Sequence, residues 1–391
     1  MIFGAGINQL ELIREAKTLG FTSVVVDPQP DPPGREEADI YCCTGGNDYE
    51  ATREVAIRYG VRGIVTGQME KPLRLMARLA NELGFIFNSP EVTERCLDKW
   101  LMKKAFIASG VPCARGVLLK EGDETDLPGD MVYPVIIKPR DSYSSRGVYK
   151  CDTQYDMTQH ISESRMYSSN GDVLIEEFLR GREYSVEALT FNGITTIVQS
   201  TEKYITPYPN TVETGHLQPA DLTPEDRLAA SYVVIEALKA LGIENSASHT
   251  EIMLTDKGPV VIETGARLGG DFISSYLTRS STGVSMDRAA IQIAMGQEPD
   301  TEVQGHHYSM IRYIELPPER TVSEVHDYED LKKLEGVVFV HVFVRPGEIT
   351  VPLRHSAQRP ACIIVQSQNK KDLLFKVEEY SKILTDKIVL I

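Results

Sequence analysis

Two carboxylates twelve positions apart, Glu251 and Glu263, lie on strand-like runs that share a tight turn. The runs are Thr250-Glu251-Ile252-Met253-Leu254 and Pro259-Val260-Val261-Ile262-Glu263, joined through Thr255-Asp256-Lys257-Gly258. A turn-forming Asp-Lys-Gly between apolar runs reads as a hairpin. If the hairpin registers about that turn, both carboxylates point to one face. Two hard oxygen ligands there suit Mg²⁺ or Mn²⁺ and leave room for the phosphates of a nucleotide. Arg267 follows Glu263 by four residues and leads into Leu268-Gly269-Gly270. A guanidinium beside two flexible backbone positions suits an anion such as phosphate or a carboxylate. The plain alternative is a pair of solvated strand carboxylates.

Several elements must position these groups. Ile2-Phe3-Gly4-Ala5-Gly6 reads as a buried strand entering a turn, followed by an amphipathic helix from Gln9 to Leu19 and a second strand from Thr22 to Asp27. A further helix, Tyr49 to Tyr59, leads to the strand Gly63-Ile64-Val65-Thr66 and a helix to Gly84, which is a β-α-β opening. From about Leu97 the pattern changes to a helix, Leu97 to Ser109, and the strand Val132 to Lys138. The Ser-rich loop Arg140 to Gly147 and the strands Asp172 to Phe178 and Glu183 to Phe191 follow. The helix Glu225 to Leu241 starts at a Thr223 cap with Pro224 in its first turn, and its Leu228, Val234, Ile235, Leu238 and Leu241 read as core. The strands Tyr308–Leu316, Val337–Arg345 and Ala361–Val365 with the helix Lys371–Leu384 form a last α+β piece.

At 391 residues the chain calls for two to four subdomains. Its composition, 42% hydrophobic and 25% charged, is that of a soluble globular protein. No apolar run reaches the length needed to span a bilayer, and Met1 leads into Ile2-Phe3-Gly4 without a signal core, so a cytoplasmic location is expected. A net charge of −15 argues against a nucleic-acid groove. The six cysteines show no Cys-x-x-Cys spacing and read as reduced thiols, mostly buried.

Gly4-x-Gly6 with Asp27 at the end of the second strand mimics a dinucleotide fingerprint, yet Gln9 stands where the third glycine belongs. A structural turn is therefore favoured over an NAD site. The stronger set runs through Lys99 in Asp98-Lys99-Trp100, Lys138 at the end of Ile-Ile-Lys-Pro, Glu176-Glu177-Phe178-Leu179 and Gly181-x-Glu183. Each alone is readable as a surface charge.

In this order, and continuing into Glu251, Glu263 and Arg267, the succession closely resembles the ATP-grasp superfamily over nearly the whole chain. The resemblance implies an α/β and α+β ATP-grasp fold with four parts. A Rossmann-like leading domain covers residues 1–92, and the ATP-grasp domain covers 93–308, with its metal-binding centre and a small lid module at about 115–187. A strand-rich C-terminal subdomain covers 309–391. It also implies ATP with Mg²⁺ or Mn²⁺. Lys99 and Lys138 would contact phosphates, the backbone of Glu176, Glu177, Phe178 and Leu179 the adenine edge, and Glu183 the ribose hydroxyls. Glu251 and Glu263 would hold the metal, and Arg267 would face the carboxylate or acyl-phosphate. Ser142, Ser144, Ser145 and Gly147 belong to the phosphate-covering loop, here serine-rich rather than glycine-rich. A second departure is Gly265, where the family usually has a third metal ligand, Asn. The nucleotide is expected between the Lys138 lid module and the Glu251–Glu263 hairpin.

Glu213-Thr214-Gly215-His216-Leu217-Gln218-Pro219-Ala220, the Glu-x-x-x-Arg-x-Gly-Gly-Asp signature and the strand-rich C-terminal piece are similar to the L-amino acid ligases, which form dipeptides. The implied partners are a small-molecule carboxylate and an amine, with no nucleic acid and no membrane; a homodimer stays open. His216 is placed near phosphate or substrate, against the alternative of a surface-loop histidine. His249 reads as structural, and His306-His307 as a solvated pair. A biotin-carboxylase-like or purine-pathway enzyme and a non-catalytic nucleotide-binding regulatory module are the rival readings.

Overall fold

A computed structural model describes residues 1–391 except Gly46, Glu124, Thr125, Pro128, Ser144, Tyr208, Pro209 and Asn210. The fold is mixed α/β. The chain divides into two compact units, one of residues Met1–Cys113, Ser185–Ser200 and Leu222–Gln304, the other of Ala114–Tyr184, Thr201–Asp221 and Gly305–Ile391. The strands Arg182–Phe191 and Ile194–Ile205 therefore carry residues of both. Among the described residues no helix is long and apolar enough to cross a membrane.

The first unit opens with a parallel sheet in the order Ile40–Cys43, Val24–Asp27, Ile2–Phe3, Val65–Thr66. Its two central strands, Val24–Asp27 and Ile2–Phe3, are buried throughout, as parallel strands with helical crossovers are, while the edge strand Ile40–Cys43 is half-buried to exposed. Asp27 spends both carboxylate oxygens on backbone: Ala5 N–H donates to Oδ2 at 2.9 Å and Gln29 N–H to Oδ1 at 2.8 Å. Gly4 sits at φ +94°, a conformation that favours glycine, and a Cβ there would displace Met69, whose Sδ would be 2.4 Å away. These residues build a turn, in keeping with the structural reading of the partial fingerprint.

Asp98 corrects the helix expected from Leu97 to Ser109. One helix, Pro90–Leu97, ends before it; a second, Lys99–Ser109, starts after it, with Asp98 Oδ1 accepting from the N–H groups of Trp100 and Leu101. Lys99 is thus the first residue of a helix. The helix Pro224–Leu241 has the expected Thr223 cap. Its buried stripe is Ala230, Val233, Val234, Ala237, Leu238 and Leu241, whereas Leu228, expected in the core, is exposed. The helical rotation carries position 228 away from the buried face.

The helix Met286–Ala294 packs on Leu10–Thr18 in one apolar core with Ile2, Leu12, Ile13, Leu189 and Leu268. Asp287 is buried there, and desolvation, reinforced by Glu11 and Glu15 and opposed by Arg279, pushes its carboxyl up to about 7. Because the folded value lies above the unfolded one, the native state holds a proton that the unfolded chain gives up. Stability from this group is full below the unfolded value and lost as pH rises through about 7. Asp287→Asn is therefore expected to melt higher than the wild type by a margin that widens from pH 5 to pH 8, by up to roughly 3 kcal/mol. Melting curves at the two pH values check this; a margin that stays constant would refute it.

The second unit holds a four-stranded antiparallel sheet in the order Gly116–Leu119, Val173–Glu177, Val135–Pro139, Tyr149–Cys151. The helix Gln154–Met166, started by a Thr153–Asp156 capping box, covers it through Met157 and Ile161. A larger antiparallel run places Glu213–Gln218 beside Tyr308–Ile314, then Ala361–Ser367 and Val337–Val342. The helix Lys370–Asp386 closes its core through Leu373, Val377, Tyr380 and Leu384. All six cysteines are free thiols, three of them buried and Cys43 exposed.

Candidate active site

The hairpin is formed by Ser246–Thr255 and Gly258–Gly265, and its register sets Glu251 directly opposite Glu263, with an irregularity just after Glu251. Both side chains keep partial access to solvent, 28% and 29%. Like charges directly opposite on an antiparallel pair repel, so cations must stand nearby. Lys99 Nζ lies 2.8 Å from Glu263 Oε1 and is nearly buried. Burial alone would lower its pKa; the carboxylates of Glu263, Glu70 and Glu251 more than reverse that. Arg267 donates through Nη2 to Glu70 Oε1 at 2.7 Å and through Nη1 to the Leu268 carbonyl at 3.0 Å. Its Nε is buried without a hydrogen-bond partner.

Gly265 explains the position of that guanidinium. A Cβ at 265 would come 3.2 Å from Arg267 Cζ. A side chain at 265 would require the guanidinium to give way by a few tenths of an ångström.

Behind Glu251, His249 Nδ1 faces Glu187 Oε1 at 2.6 Å, and His249 Nε2 lies 3.7 Å from Glu251 Oε1. Burial opposes the charged imidazole, but Glu187 outweighs it and the pKa rises to about 9. The group sets four carboxylates (Glu70, Glu187, Glu251, Glu263) against Lys99, Arg267 and the His249 ring.

No cluster of three or more His, Cys, Asp or Glu among the described residues is spaced to hold a metal ion. The facing pair therefore offers two protein oxygen ligands. That fits Mg²⁺, which keeps several waters and is bound through one or two carboxylates together with substrate phosphates.

The second unit carries the other expected residues. Lys138 and Glu176 stand on adjacent antiparallel strands, both buried, with Nζ 2.7 Å from Oε2. Glu177 Oε1 accepts from Arg115 N–H at 2.7 Å, which fixes the strand end that leads into Phe178 and Leu179. Lys150 Nζ lies 5.2 Å from the Phe178 ring centre, a cation–π distance. Glu183 pairs with Lys203, whose ammonium also lies 3.8 Å from Glu213. Lys203 sits opposite His216 in the ladder of Ile194–Ile205 with Glu213–Gln218.

His216 is buried in a strand, which sets aside the surface-loop alternative. Ser142 is buried, Ser145 has a positive φ of 54°, and Gly147 lies so close to Pro139 and Tyr167 that a Cβ would meet them at 2.7 and 2.8 Å. Ser144 lies outside the described residues.

Lys99, Glu251, Glu263 and Arg267 are thus brought together in the first unit. Lys138, Ser142, Ser145, Gly147, Glu176, Glu177, Phe178, Leu179, Glu183 and His216 belong to the second. Sequence reading missed Glu70, Glu187 and Lys203. Glu187 had a weak local signal, a carboxylate between Val186 and Ala188-Leu189; Glu70 had none.

Comparison with known proteins identifies residues 131–275 as an ATP-grasp domain and residues 312–383 as an L-amino acid ligase C-terminal domain 2. In both domains the chain is similar to the ATP-grasp carboxylate–amine ligases. Members of this family form carbon–nitrogen bonds at the expense of ATP, with Mg²⁺. It is 27% identical to dapdiamide A synthase of Enterobacter agglomerans over 349 residues, 84% of this chain and 80% of that one. The crystal structure of L-amino acid ligase from Bacillus licheniformis superposes with a TM-score of 0.85 at 23% identity, covering 100% of this chain and 97% of that one. The biotin carboxylase domain of Hydrogenobacter thermophilus 2-oxoglutarate carboxylase, solved as a dimer with MgADP and bicarbonate, gives a TM-score of 0.76 at 21% identity and coverages of 100% and 90%. Both structures show the fold.

Proposed function

We propose that this ligase joins amino acids or similar small molecules, using ATP and Mg²⁺. The carboxylate of one substrate attacks the γ-phosphorus of ATP, forming an acyl-phosphate and releasing ADP. The amine of the second substrate then attacks the acyl carbon, phosphate leaves, and an amide remains. The observation that carries this reading is the facing of Glu251 and Glu263 beside the cations Lys99 and Arg267. A bound divalent cation neutralises phosphate oxygens while charge develops.

The chain's own residues do the rest. Glu251 and Glu263 hold the cation, while Lys138 and Lys99 supply fixed charge for phosphate oxygens, each now held by a carboxylate partner. Ser142, Ser145 and Gly147 cover the phosphates. The strand end at Glu176–Leu179 offers backbone groups to the adenine, and Glu183 accepts from the ribose hydroxyls. Arg267 binds the substrate carboxylate, with its unpartnered Nε as a donor to spare, and His216 stands near the transferred phosphate. Catalysis of this kind is positioning and charge neutralisation rather than covalent chemistry on the protein.

The test is ADP release with Mg²⁺-ATP against pooled amino acids. Release that requires two pool members, with an amide product in stoichiometric amount, is the expected result. Tight ATP binding without turnover on any pool would favour a regulatory nucleotide-binding module, and bicarbonate-dependent turnover a carboxylase.

A further inference from the structure

Behind the hairpin lies a carboxylate–imidazole pair that the reaction scheme does not use. Glu187 has no exposure at all, and its Oε1 meets His249 Nδ1 at 2.6 Å, with Ser185 Oγ donating to the same oxygen at 3.3 Å. Its Oε2 is buried with no hydrogen-bond partner. Gly269 walls the pair in: a Cβ there would stand 2.5 Å from Glu187 Oε2 and 2.9 Å from His249 Nδ1. The Gly269 N–H is itself tied to Ser274 Oγ at 2.7 Å.

One glycine of the Arg-Leu-Gly-Gly run is thus required by the carboxylate packed against it. Replacing a buried ion pair with apolar side chains is often neutral or stabilising, so a pair like this is poorly explained by stability alone. What it does have is a neighbour on the same face of the strand. His249 and Glu251 are two residues apart, and Nε2 lies 3.7 Å from Glu251 Oε1, an ion-pair distance longer than a hydrogen bond.

We propose that Glu187 and His249 are positioning residues for Glu251. Glu187 fixes the ring plane of His249 through Nδ1, and Nε2–H of the fixed ring holds the Glu251 carboxylate in the rotamer that receives the cation. The inference rests on the assignment of Glu251 as a cation ligand, and its test separates the two.

Mn²⁺ binding is measured by the electron paramagnetic resonance of free Mn²⁺, with ADP present, in the wild-type chain, Glu251→Gln, Glu187→Gln, His249→Asn and the Glu187→Gln/His249→Asn double variant. His249→Asn keeps a donor near the position of Nδ1, so the bond to Glu187 survives, but it cannot reach Glu251. Glu187→Gln and His249→Asn are each expected to raise the dissociation constant by about 10- to 100-fold. The double variant should lose no more than the larger single loss, because the two act as one unit. ADP affinity without metal should be unchanged.

If Glu251→Gln leaves the constant unmoved, the cation assignment itself fails. If Glu251→Gln raises it while both single variants stay within twofold, or the single losses add in the double variant, the positioning role is overturned and the cation assignment stands. Should Glu187→Gln not fold, His249→Asn decides by the same criterion.

Discussion

Glu263→Gln is expected to lower turnover by about a thousandfold or more, since a metal ligand that counters charge developing in phosphoryl transfer is worth several kcal/mol, or on the order of 4. The substitution keeps the shape of the side chain and removes one negative oxygen. It also leaves Lys99 with less compensation, for the ammonium lies 2.8 Å from that carboxylate. Removing one partner of a fully buried pair costs about 3–5 kcal/mol. Here Glu263 is partly open to solvent and Glu70 and Glu251 also act on Lys99, so a stability loss of about 2 kcal/mol is expected. The variant should fold and bind, yet not turn over. Steady-state ADP formation beside a thermal melt checks both halves; a folded variant within about threefold of wild-type turnover would remove Glu263 from the cation site.

Arg267→Lys tests the other end of the same cluster. The guanidinium reaches Glu70 with one terminal nitrogen and the Leu268 carbonyl with the other. A lysine keeps the charge and cannot form that fork, nor offer paired donors to a substrate carboxylate. The expected result is a fall in kcat/KM of about 100- to 1000-fold for the carboxylate substrate, with ATP affinity within about twofold of wild type. ADP formation and ATP binding are measured on the same preparation, with the amino acids that the pooled screen selects. ATP affinity collapsing in step with turnover would assign Arg267 to the nucleotide. No change in either would make it a structural arginine and take away the main support for substrate placement.

What sequence made legible was local. The turn Asp256-Lys257 and the apolar runs that flank it marked the hairpin, and with it the facing of Glu251 and Glu263. Thr223-Pro224 marked a helix start, and Ile-Ile-Lys-Pro marked the strand that presents Lys138. What escaped depends on partners distant in the chain. Glu70 is 197 residues from Arg267 and Glu187 is 62 from His249, and no periodicity or spacing signals such a pairing. Lys203 lies in a polar strand, Ile194–Ile205, that carries no signal of its pairing; only the ladder with Glu213–Gln218 shows its neighbours. Leu228 was assigned to the core because apolar type was followed without the rotation set by the small residues Ala230 and Ala237, which carry the buried face. The closeness of Gly265 to the guanidinium had no sequence signal either: only the structure shows Arg267 Cζ 3.2 Å from where a Cβ at 265 would stand.

The first unit is stitched from three separate stretches, Met1–Cys113, Ser185–Ser200 and Leu222–Gln304. The charged cluster draws on all of them: Glu70 and Lys99 from the first, Glu187 from the second, His249, Glu251, Glu263 and Arg267 from the third. Closing it means bringing together groups up to 197 positions apart, with the loop-closure entropy owed before any contact rewards it. During synthesis the parallel sheet at the start can form early, but Glu187 waits for His249, Lys99 for Glu263 and Glu70 for Arg267. The site is therefore among the last features of its unit to assemble. A nascent chain halted before that point carries unpaired acidic and basic groups in place of a binding centre, exposed to the chaperones that meet incompletely folded chains.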